Sequence, residues 1–105
     1  MAVIFTDYAG RAIRLTDERK EHILEHPEMR GLEAAIAETL SRPDTVIRSL
    51  SDSTVWLYHR YYRTTPVGDK WLCVVVKVGP TDAFVITAYL TDKVKRGDVI
   101  WSEKP

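Results

Sequence analysis

The chain has 105 residues, of which 45% are hydrophobic and 29% charged, and its formal net charge is zero. This length and composition are typical of one globular domain that builds a core without disulfides, and they exclude disorder as the state of the chain. A net charge of zero argues against a protein that coats nucleic acid through overall charge alone.

The sequence does not indicate membrane insertion or secretion. The longest apolar run, residues 72–76, is far too short to span a bilayer. Residues 1–7 lack the basic region and the long apolar stretch of a signal peptide. We therefore expect a cytoplasmic protein. The one cysteine, Cys73, has apolar neighbours, which excludes a disulfide framework and favours a structural thiol.

The first half of the chain predicts a hairpin followed by two helices. Residues 2–6 and 11–15 have the pattern of two short strands. Thr16, followed by two acidic residues, marks the start of a helix. Pro27 ends or kinks this helix, and a second helix is expected from about Glu28 to Ser41.

The second half predicts strands, which together with the helices give a single α+β domain over residues 1–105. The expected strands are 45–50, 55–63, 71–78, 83–90 and a short segment at 99–101, with a loop at 64–69 and a turn at 79–82. We expect the N-terminal helices to pack on one face of an antiparallel β-meander of about four strands.

Side-chain alternation along the strands predicts which residues share a face. On the last two long strands we assign the even positions to the core, with Val76 opposite Ile86 and Val78 opposite Phe84. The other face then carries Lys77, Thr87 and Tyr89.

On the strand before them, Val55 and Leu57 are the apolar candidates for the core. This choice places His59 on the core side, as a packing or edge residue. It also predicts a basic and aromatic face shared with Lys77 and formed by Trp56, Tyr58, Arg60 and Tyr62. The alternative is an ordinary amphipathic strand surface, since Tyr, Trp, Lys and Arg are common on solvated sheets.

His22 and His26 are four residues apart and so lie on one side of a helix. Histidine is the side chain best suited to proton transfer near neutral pH. Zinc binding is the less favoured hypothesis because no third ligand follows at a recognisable spacing. The structural alternative is that His26, before Pro27, caps the helix C-terminus.

Charge is distributed unevenly along the chain. Residues 16–38 contain seven acidic and three basic residues, whereas residues 42–77 contain six basic and three acidic ones. An acidic helical half therefore adjoins a basic strand half. This asymmetry suggests an anionic ligand on the sheet side, although helices also carry carboxylates for solubility alone.

Several segments together resemble a known nuclease family. They are Thr16-Asp-Glu-Arg19, His22-Ile23, His26-Pro-Glu28, Tyr58 with Arg60, Leu72 to Lys77 and Phe84 to Thr91. Their order is similar to that of the small phage-associated nucleases of the Barnase-EndoU-Colicin-RelE (BECR) fold. The resemblance covers most of residues 11–101. It implies helices followed by an antiparallel sheet, RNA cleavage without a metal or other cofactor, and relatives that are toxins or conflict proteins.

Such cleavage requires a base for the ribose 2'-hydroxyl, an acid for the leaving oxygen and cations for the developing charge. We assign His22 as acid or base, Arg60 and Lys77 as phosphate and transition-state stabilisers, and Thr87 and Tyr89 as groups that orient the phosphate. His22 reaches the other groups only if its helix packs over a sheet edge. Further substrate-binding candidates are Arg19, His26, Trp56, Tyr58 and Thr91, of which Trp56 and Tyr58 are suited to stacking on bases.

Two other functions are compatible with the same residues. One is a non-catalytic module that binds RNA, a nucleotide or a protein on the basic, aromatic face. The other is a protein interface or homodimer contact through Trp56, Tyr58, Tyr62 and Trp71. For the nuclease, the expected partners are single-stranded RNA or tRNA and an immunity or antitoxin protein, with the chain a monomer or a homodimer.

Overall fold

Within residues 2–103 the fold consists of a seven-stranded sheet with two α-helices on one face. The computed structural model describes residues 2–103. The strands are β1 Ala2–Thr6, β2 Ala12–Thr16, β3 Thr45–Arg48, β4 Val55–Thr65, β5 Gly68–Val78, β6 Ala83–Thr91 and β7 Asp98–Ser102. The helices are α1 Asp17–Leu24 and α2 Glu33–Ser41, with a 3-10 turn at Pro27–Met29 between them.

The α+β class is confirmed, but the predicted meander of about four antiparallel strands is wrong in detail. The strand order is β1-β2-β6-β5-β4-β3-β7. The β1–β2 hairpin joins β6 through a parallel pairing, whereas the other neighbours are antiparallel. The sheet is therefore mixed, and β7 extends it beyond β3.

Local signals explain where the first helix begins and why the second starts later than predicted. The Thr16 hydroxyl accepts a hydrogen bond from the Arg19 amide at 3.2 Å, as an N-cap does. The second helix starts at Glu33 instead of Glu28, because Arg30 is extended and Gly31 has φ +82°. Glycine adopts that left-handed conformation at little cost.

The core lies between the helices and one face of the sheet, which we call the helix face. Its largest fully buried aliphatic side chains include Ile13, Ile23, Ile36, Leu40, Leu72, Val74, Val76 and Val85. No helix among residues 2–103 is long and apolar enough to cross a membrane.

The predicted register of β5 and β6 is confirmed over half its length. Leu72 pairs with Leu90, and Val75 with Thr87. A bulge then shifts the pairing, so that Val76 lies opposite Val85 instead of Ile86. The assignment of Ile86 and Phe84 to the core is therefore wrong, since Val85 and Ala83 are the buried residues.

The predicted orientation of β4 is wrong throughout. Tyr58 pairs with Val74 and Arg60 with Leu72, so even positions of β4 share the helix face with the even positions of β5. Val55, Leu57 and His59 consequently lie on the opposite face.

Asp7 anchors this side of β4 to the β1–β2 turn. The carboxylate of Asp7, which is 4% exposed, accepts hydrogen bonds from the Tyr58 hydroxyl at 2.6 Å and the Arg11 guanidinium at 2.7 Å. It also accepts from the backbone amides of Ala9 at 3.0 Å and Arg11 at 2.8 Å. Four donors therefore converge on one buried carboxylate.

We expect the Asp7→Ala substitution to lower the free energy of unfolding by about 3 kcal/mol, because it leaves the buried Tyr58 hydroxyl and Arg11 without their acceptor. Urea denaturation at pH 7 measures this change. Asp98→Ala is the matched control: it removes an exposed ion pair with Arg48 at 3.6 Å and should cost less than about 1 kcal/mol. Equal losses in the two variants would contradict the anchoring role of Asp7.

Candidate nucleic-acid interface

The second face of the sheet is not covered by any helix of residues 2–103, and we call it the open face. Register and alternation place on it the residues Val55, Leu57, His59 and Tyr61 of β4, Trp71, Cys73, Val75 and Lys77 of β5, and Thr87, Tyr89 and Thr91 of β6. Four predicted site residues, Lys77, Thr87, Tyr89 and Thr91, therefore share one face. Their roles as site residues stay predictions.

Trp56, Tyr58 and Arg60 do not share that face, which corrects the prediction that they lie beside Lys77. Tyr58 is fully buried. Burial, followed by the hydrogen bond and charge of Asp7, raises the pKa of its phenol far above the ordinary value. Trp56 lies under the Arg11 guanidinium, with 4.5 Å from the guanidinium carbon to the ring centroid. Neither aromatic side chain offers a free ring to a base on the open face.

Arg60 and Tyr62 instead connect β4 to α2. The Arg60 Nη1 donates to the Arg42 carbonyl at 2.7 Å, and its Nε lies 3.3 Å from the Glu38 carboxylate. The Tyr62 hydroxyl donates to the same carboxylate at 2.6 Å. Burial is the largest cause that raises the pKa of Tyr62 to about 12. The hydrogen bond from Tyr62 is the largest cause that lowers the pKa of Glu38.

The helical candidates form a third, separate group. Arg19, His22 and His26 follow one another on the outer side of the first helical segment, and all three are exposed. The His22 side chain is 53% exposed and lies 3.8 Å from the Glu25 carboxylate. The inner side of α1 carries the buried Ile23 toward the core. The sheet therefore separates His22 from Lys77.

Lys77 has a carboxylate partner that sequence analysis did not identify. Its Nζ donates to Asp52 at 3.1 Å, and the two side chains are 39% and 45% exposed. The Asp52 carboxylate also accepts from the Thr54 hydroxyl at 2.6 Å and the Thr54 amide at 2.9 Å. The hydroxyl bond is the largest cause that lowers the pKa of Asp52 to about 2, with Lys77 contributing. An ammonium and a carboxylate thus stand together at the surface of the open face.

The segment between β6 and β7, residues 92–97, crosses the open face, and we call it the crossover. The Lys95 amide donates to His59 Nε2 at 3.2 Å. At Gly97 a Cβ atom would lie 2.4 Å from the Arg48 carbonyl oxygen and 2.5 Å from Ile47 Cγ2. Only glycine permits this close approach, so Gly97 lets the chain pass directly over β3.

The crossover buries a small cluster around His59. Since Nε2 accepts from Lys95, the proton is on Nδ1, which donates to the Leu57 carbonyl at 3.0 Å. Burial is the main cause that lowers the pKa of His59 to about 4. Beside it, burial raises the pKa of the Cys73 thiol to about 11. His59 is therefore a neutral structural group near pH 7, on the open face instead of the predicted core side.

An aromatic pair lies at the end of the open face away from Lys77. The rings of Tyr61 and Trp71 meet edge to face, with centroids 5.2 Å apart and planes at 65°. Tyr61 is 42% exposed. Trp71 pairs with Thr91, the residue that precedes the crossover. The crossover supplies Lys93, Lys95 and Arg96, of which Lys95 Nζ lies 5.4 Å from the Tyr89 ring centroid.

Sequence reasoning missed Tyr61, Asp52 and the crossover for different reasons. Tyr61 alternates with Tyr58 and Arg60 along β4, so the wrong orientation predicted for this strand turned it away from the proposed site. Asp52 lies 25 residues from Lys77 along the chain, and no local pattern indicates that contact. The basic composition of residues 93–96 was visible, but its position over the sheet depends on the placement of β7 next to β3.

Residues 2–103 contain no group of three His, Cys, Asp or Glu side chains that could hold a metal ion. His22 lies 3.8 Å from the Glu25 carboxylate, and His26 lies 3.7 Å from the Glu28 carboxylate. The prediction that both histidines lie on one helix is wrong, because α1 ends at Leu24 and His26 has an extended backbone.

Cations, hydroxyls and aromatic rings on the uncovered face of a sheet are the side-chain types that single-strand-binding proteins use to hold phosphates and bases. Comparison with protein families identifies the class. The family model of the phage-Barnase-EndoU-ColicinE5/D-RelE like nuclease 2 family matches residues 1–102, and the chain belongs to that family. The suspected resemblance is thereby confirmed. No curated protein and no solved structure matches the chain.

We expect His59 to make the stability of the protein depend on pH. Its pKa is about 4 in the folded chain, below the value of about 6.5 in an unfolded one. Between these values the unfolded chain binds more protons, so stability is full above pH 6.5 and falls as the pH decreases toward 4. The loss amounts to about 3 kcal/mol across the window.

Urea denaturation at pH 7 and at pH 5 measures this dependence. His59→Leu should flatten it, whereas His22→Gln, which changes an exposed histidine, should leave the wild-type slope. A His59→Leu variant that retains the full slope would show that other groups cause the loss.

Proposed function

We propose that the protein is a metal-independent endoribonuclease that binds single-stranded RNA across the open face and cleaves it at Lys77. One observation carries the proposal. In a chain of a nuclease-like family, the face without helices presents the Lys77–Asp52 pair at one end and an aromatic pair at the other. Anionic backbone and flat bases are the two features of single-stranded RNA that such a surface binds.

Binding is divided between rings and cations. Tyr61 and Trp71 offer apolar ring surface for stacking, which contributes about 1–3 kcal/mol per base in single-strand binders. Lys93, Lys95 and Arg96 on the crossover attract phosphates along the same path. A net charge of zero is compatible with this local group of basic residues, because seven of the fifteen acidic residues lie in residues 16–38, in and between the helices behind the sheet.

Cleavage requires that the 2'-oxygen bonds to phosphorus while the bond from phosphorus to the 5'-oxygen breaks. In our proposal the Asp52 carboxylate accepts the 2'-hydroxyl proton, and the Lys77 ammonium stabilises the phosphorane charge and donates a proton to the leaving 5'-oxygen. The pair, 3.1 Å apart, exchanges its protons with solvent after turnover. The products are a 2',3'-cyclic phosphate and a free 5'-hydroxyl.

The other open-face residues orient the substrate. Thr87 is opposite Val75 in the register and thus next to Lys77 on the same face, so its hydroxyl is assigned to a phosphate oxygen. Tyr89 and Thr91 continue this row toward the crossover. Burial raises the pKa of Tyr89, so the phenol keeps its proton and acts as a donor. His22, the acid or base expected from the sequence, has neither role in this proposal, because the sheet separates it from Lys77; the same experiment tests that difference.

The biological part of the proposal is a toxin or phage-conflict role in the cytoplasm, with an immunity or antitoxin protein as partner. Support comes from the phage-associated, nuclease-like family. Toxicity on expression in cells, lost in an inactive Lys77 variant, is the corresponding measurement.

A second candidate is a non-catalytic RNA-binding module on the same face. The observation that favours it is the burial of His59 under the crossover, which leaves the described part of the open face without an exposed histidine. A binder would retain RNA affinity in the absence of any fragment.

We expect Lys77→Ala to reduce RNA cleavage about 100-fold, because it removes the charge that stabilises the transition state. The assay is incubation of labelled single-stranded RNA and tRNA in EDTA, with fragment ends identified. Asp52→Asn should give a comparable loss, and an oligonucleotide with 2'-deoxyribose at the cleaved position should remain intact.

Lys20→Ala is the matched control, since this half-exposed lysine of α1 is on the other side of the sheet; it should cleave at the wild-type rate. His22→Ala should also stay within about twofold of wild type, far from the 10²-fold or larger losses typical of an essential acid or base. Intact RNA with the wild-type protein would reject the nuclease in favour of the binding module. Loss of activity in His22→Ala but not in Lys77→Ala would move the active site to α1.

A further inference from the structure

A pocket on the open face is separate from the Lys77–Asp52 pair. Its volume is ≈ 480 Å³, and it is lined by Asp44, Thr45, Tyr61, Trp71, Ser102 and Glu103. The pocket lies where β4 and β5 meet β3 and β7, on the open face. Trp71 and Lys77 are on the same strand, and at about 3.3 Å per residue the two positions are about 20 Å apart. An RNA strand bound along the open face and cleaved at Lys77 would therefore pass this pocket some nucleotides away from the cleaved bond.

Two walls of the pocket are aromatic. Tyr61 and Trp71 stand at 65° to each other with their ring centroids 5.2 Å apart. The Trp71 ring also lies edge to face with the His59 ring, with 6.5 Å between the centroids and 82° between the planes. A planar ligand can therefore stack on one ring while its edge points toward the polar rim.

The polar rim of the pocket presents hydrogen-bond acceptors. Asp44 Oδ2 is fixed by the Tyr61 amide at 2.8 Å. The Glu103 amide donates to the Asp44 carbonyl at 3.0 Å, which positions this residue beside Asp44. Within residues 2–103 the Glu103 carboxylate has no hydrogen bond or ion pair. The Thr45 hydroxyl donates its proton to the Trp101 carbonyl at 3.1 Å, which leaves its lone pairs for a ligand.

Acceptors on the rim select among the four bases of RNA. Guanine presents two adjacent donors, N1–H and the N2 amine, which match the two oxygens of one carboxylate. Uracil offers one N–H between two carbonyl acceptors. Adenine and cytosine each present an amine beside an unprotonated ring nitrogen that a carboxylate repels.

We propose that this pocket is a guanine subsite, in which Tyr61 or Trp71 stacks on the base and the Glu103 carboxylate accepts from N1–H and N2–H. The inference rests on the proposed function, since it specifies the RNA sequence that the open face prefers. Glu103 is then a specificity-determining residue, and Asp44 a positioning residue that holds Tyr61 and the Glu103 backbone.

The test is the binding of the mononucleotides GMP, IMP, AMP, CMP and UMP to the intact chain, followed through the Trp71 indole N–H signal by NMR. GMP should bind about tenfold more tightly than AMP, the discrimination expected of one bidentate contact. IMP, which lacks the N2 amine, should lose most of that advantage. Glu103→Gln should weaken GMP about tenfold and leave AMP unchanged, because an amide offers only one acceptor oxygen.

Glu18→Gln is the matched control, since it removes an exposed acid on α1 and should leave GMP binding unchanged. Equal affinity for GMP and AMP, or GMP binding that Glu103→Gln does not weaken, would overturn the inference. Tighter binding of N-acetylarginine amide than of GMP would also overturn it, since the pocket would then be a site for a cation.

Cleavage assays separate this inference from the proposed function. RNA containing a single guanosine should be cut at a fixed distance from that residue, and replacement by inosine should reduce the cut. Cleavage at positions independent of guanosine would refute the subsite and leave the nuclease intact. Guanine-selective binding in the pocket without any RNA cleavage would support the subsite and reject the nuclease.

Discussion

The hydrogen bond from the Tyr58 hydroxyl to the buried Asp7 carboxylate, at 2.6 Å, fixes which side of β4 faces the helices. A buried phenol requires an acceptor, and Asp7 provides one together with the charge of Arg11. With Tyr58 inside, Trp56, Arg60 and Tyr62 must follow onto the helix face. The odd positions, including Tyr61, are left for the open face, where the proposed interface lies.

Charge follows the same division. Contacts that join the helices and the hairpin to the sheet occupy the charged groups of Arg60, Arg11 and Glu38. Cations on the crossover and at Lys77 remain accessible on the other side. A chain with zero net charge therefore still presents a locally basic surface, because most helical carboxylates and these cations are on opposite sides of the sheet. The crossover has two roles here, since it carries cations and closes the sheet over His59.

Features that depend on neighbouring residues could be predicted from the sequence. The Thr16 N-cap, the approximate positions of the strands and the pairing of Leu72 with Leu90 follow from local patterns. The predicted loop at 64–69 is wrong, because β4 continues to Thr65 and β5 begins at Gly68. The side of β4 could not be predicted, because Val55 and Leu57 are more apolar than the aromatic residues between them. The polar tips of those residues find partners far along the chain: 51 residues away for Tyr58, 24 for Tyr62 and 18 for Arg60. The bulge in β6 and the parallel pairing of β2 with β6 likewise depend on tertiary contacts.

We propose that nucleic acid binds the open face and not the helical side. The most direct measurement is a two-dimensional amide NMR titration with a short RNA whose 2'-hydroxyls are methylated, which blocks cleavage but preserves bases and phosphates. We expect the largest shifts at Tyr61, Trp71, Lys77, Thr87 and Lys95, with the α1 amides unchanged. Chemical-shift changes centred on Arg19, His22 and His26, without changes on the open face, would contradict binding at the open face. They would place the site on the outer side of the first helix.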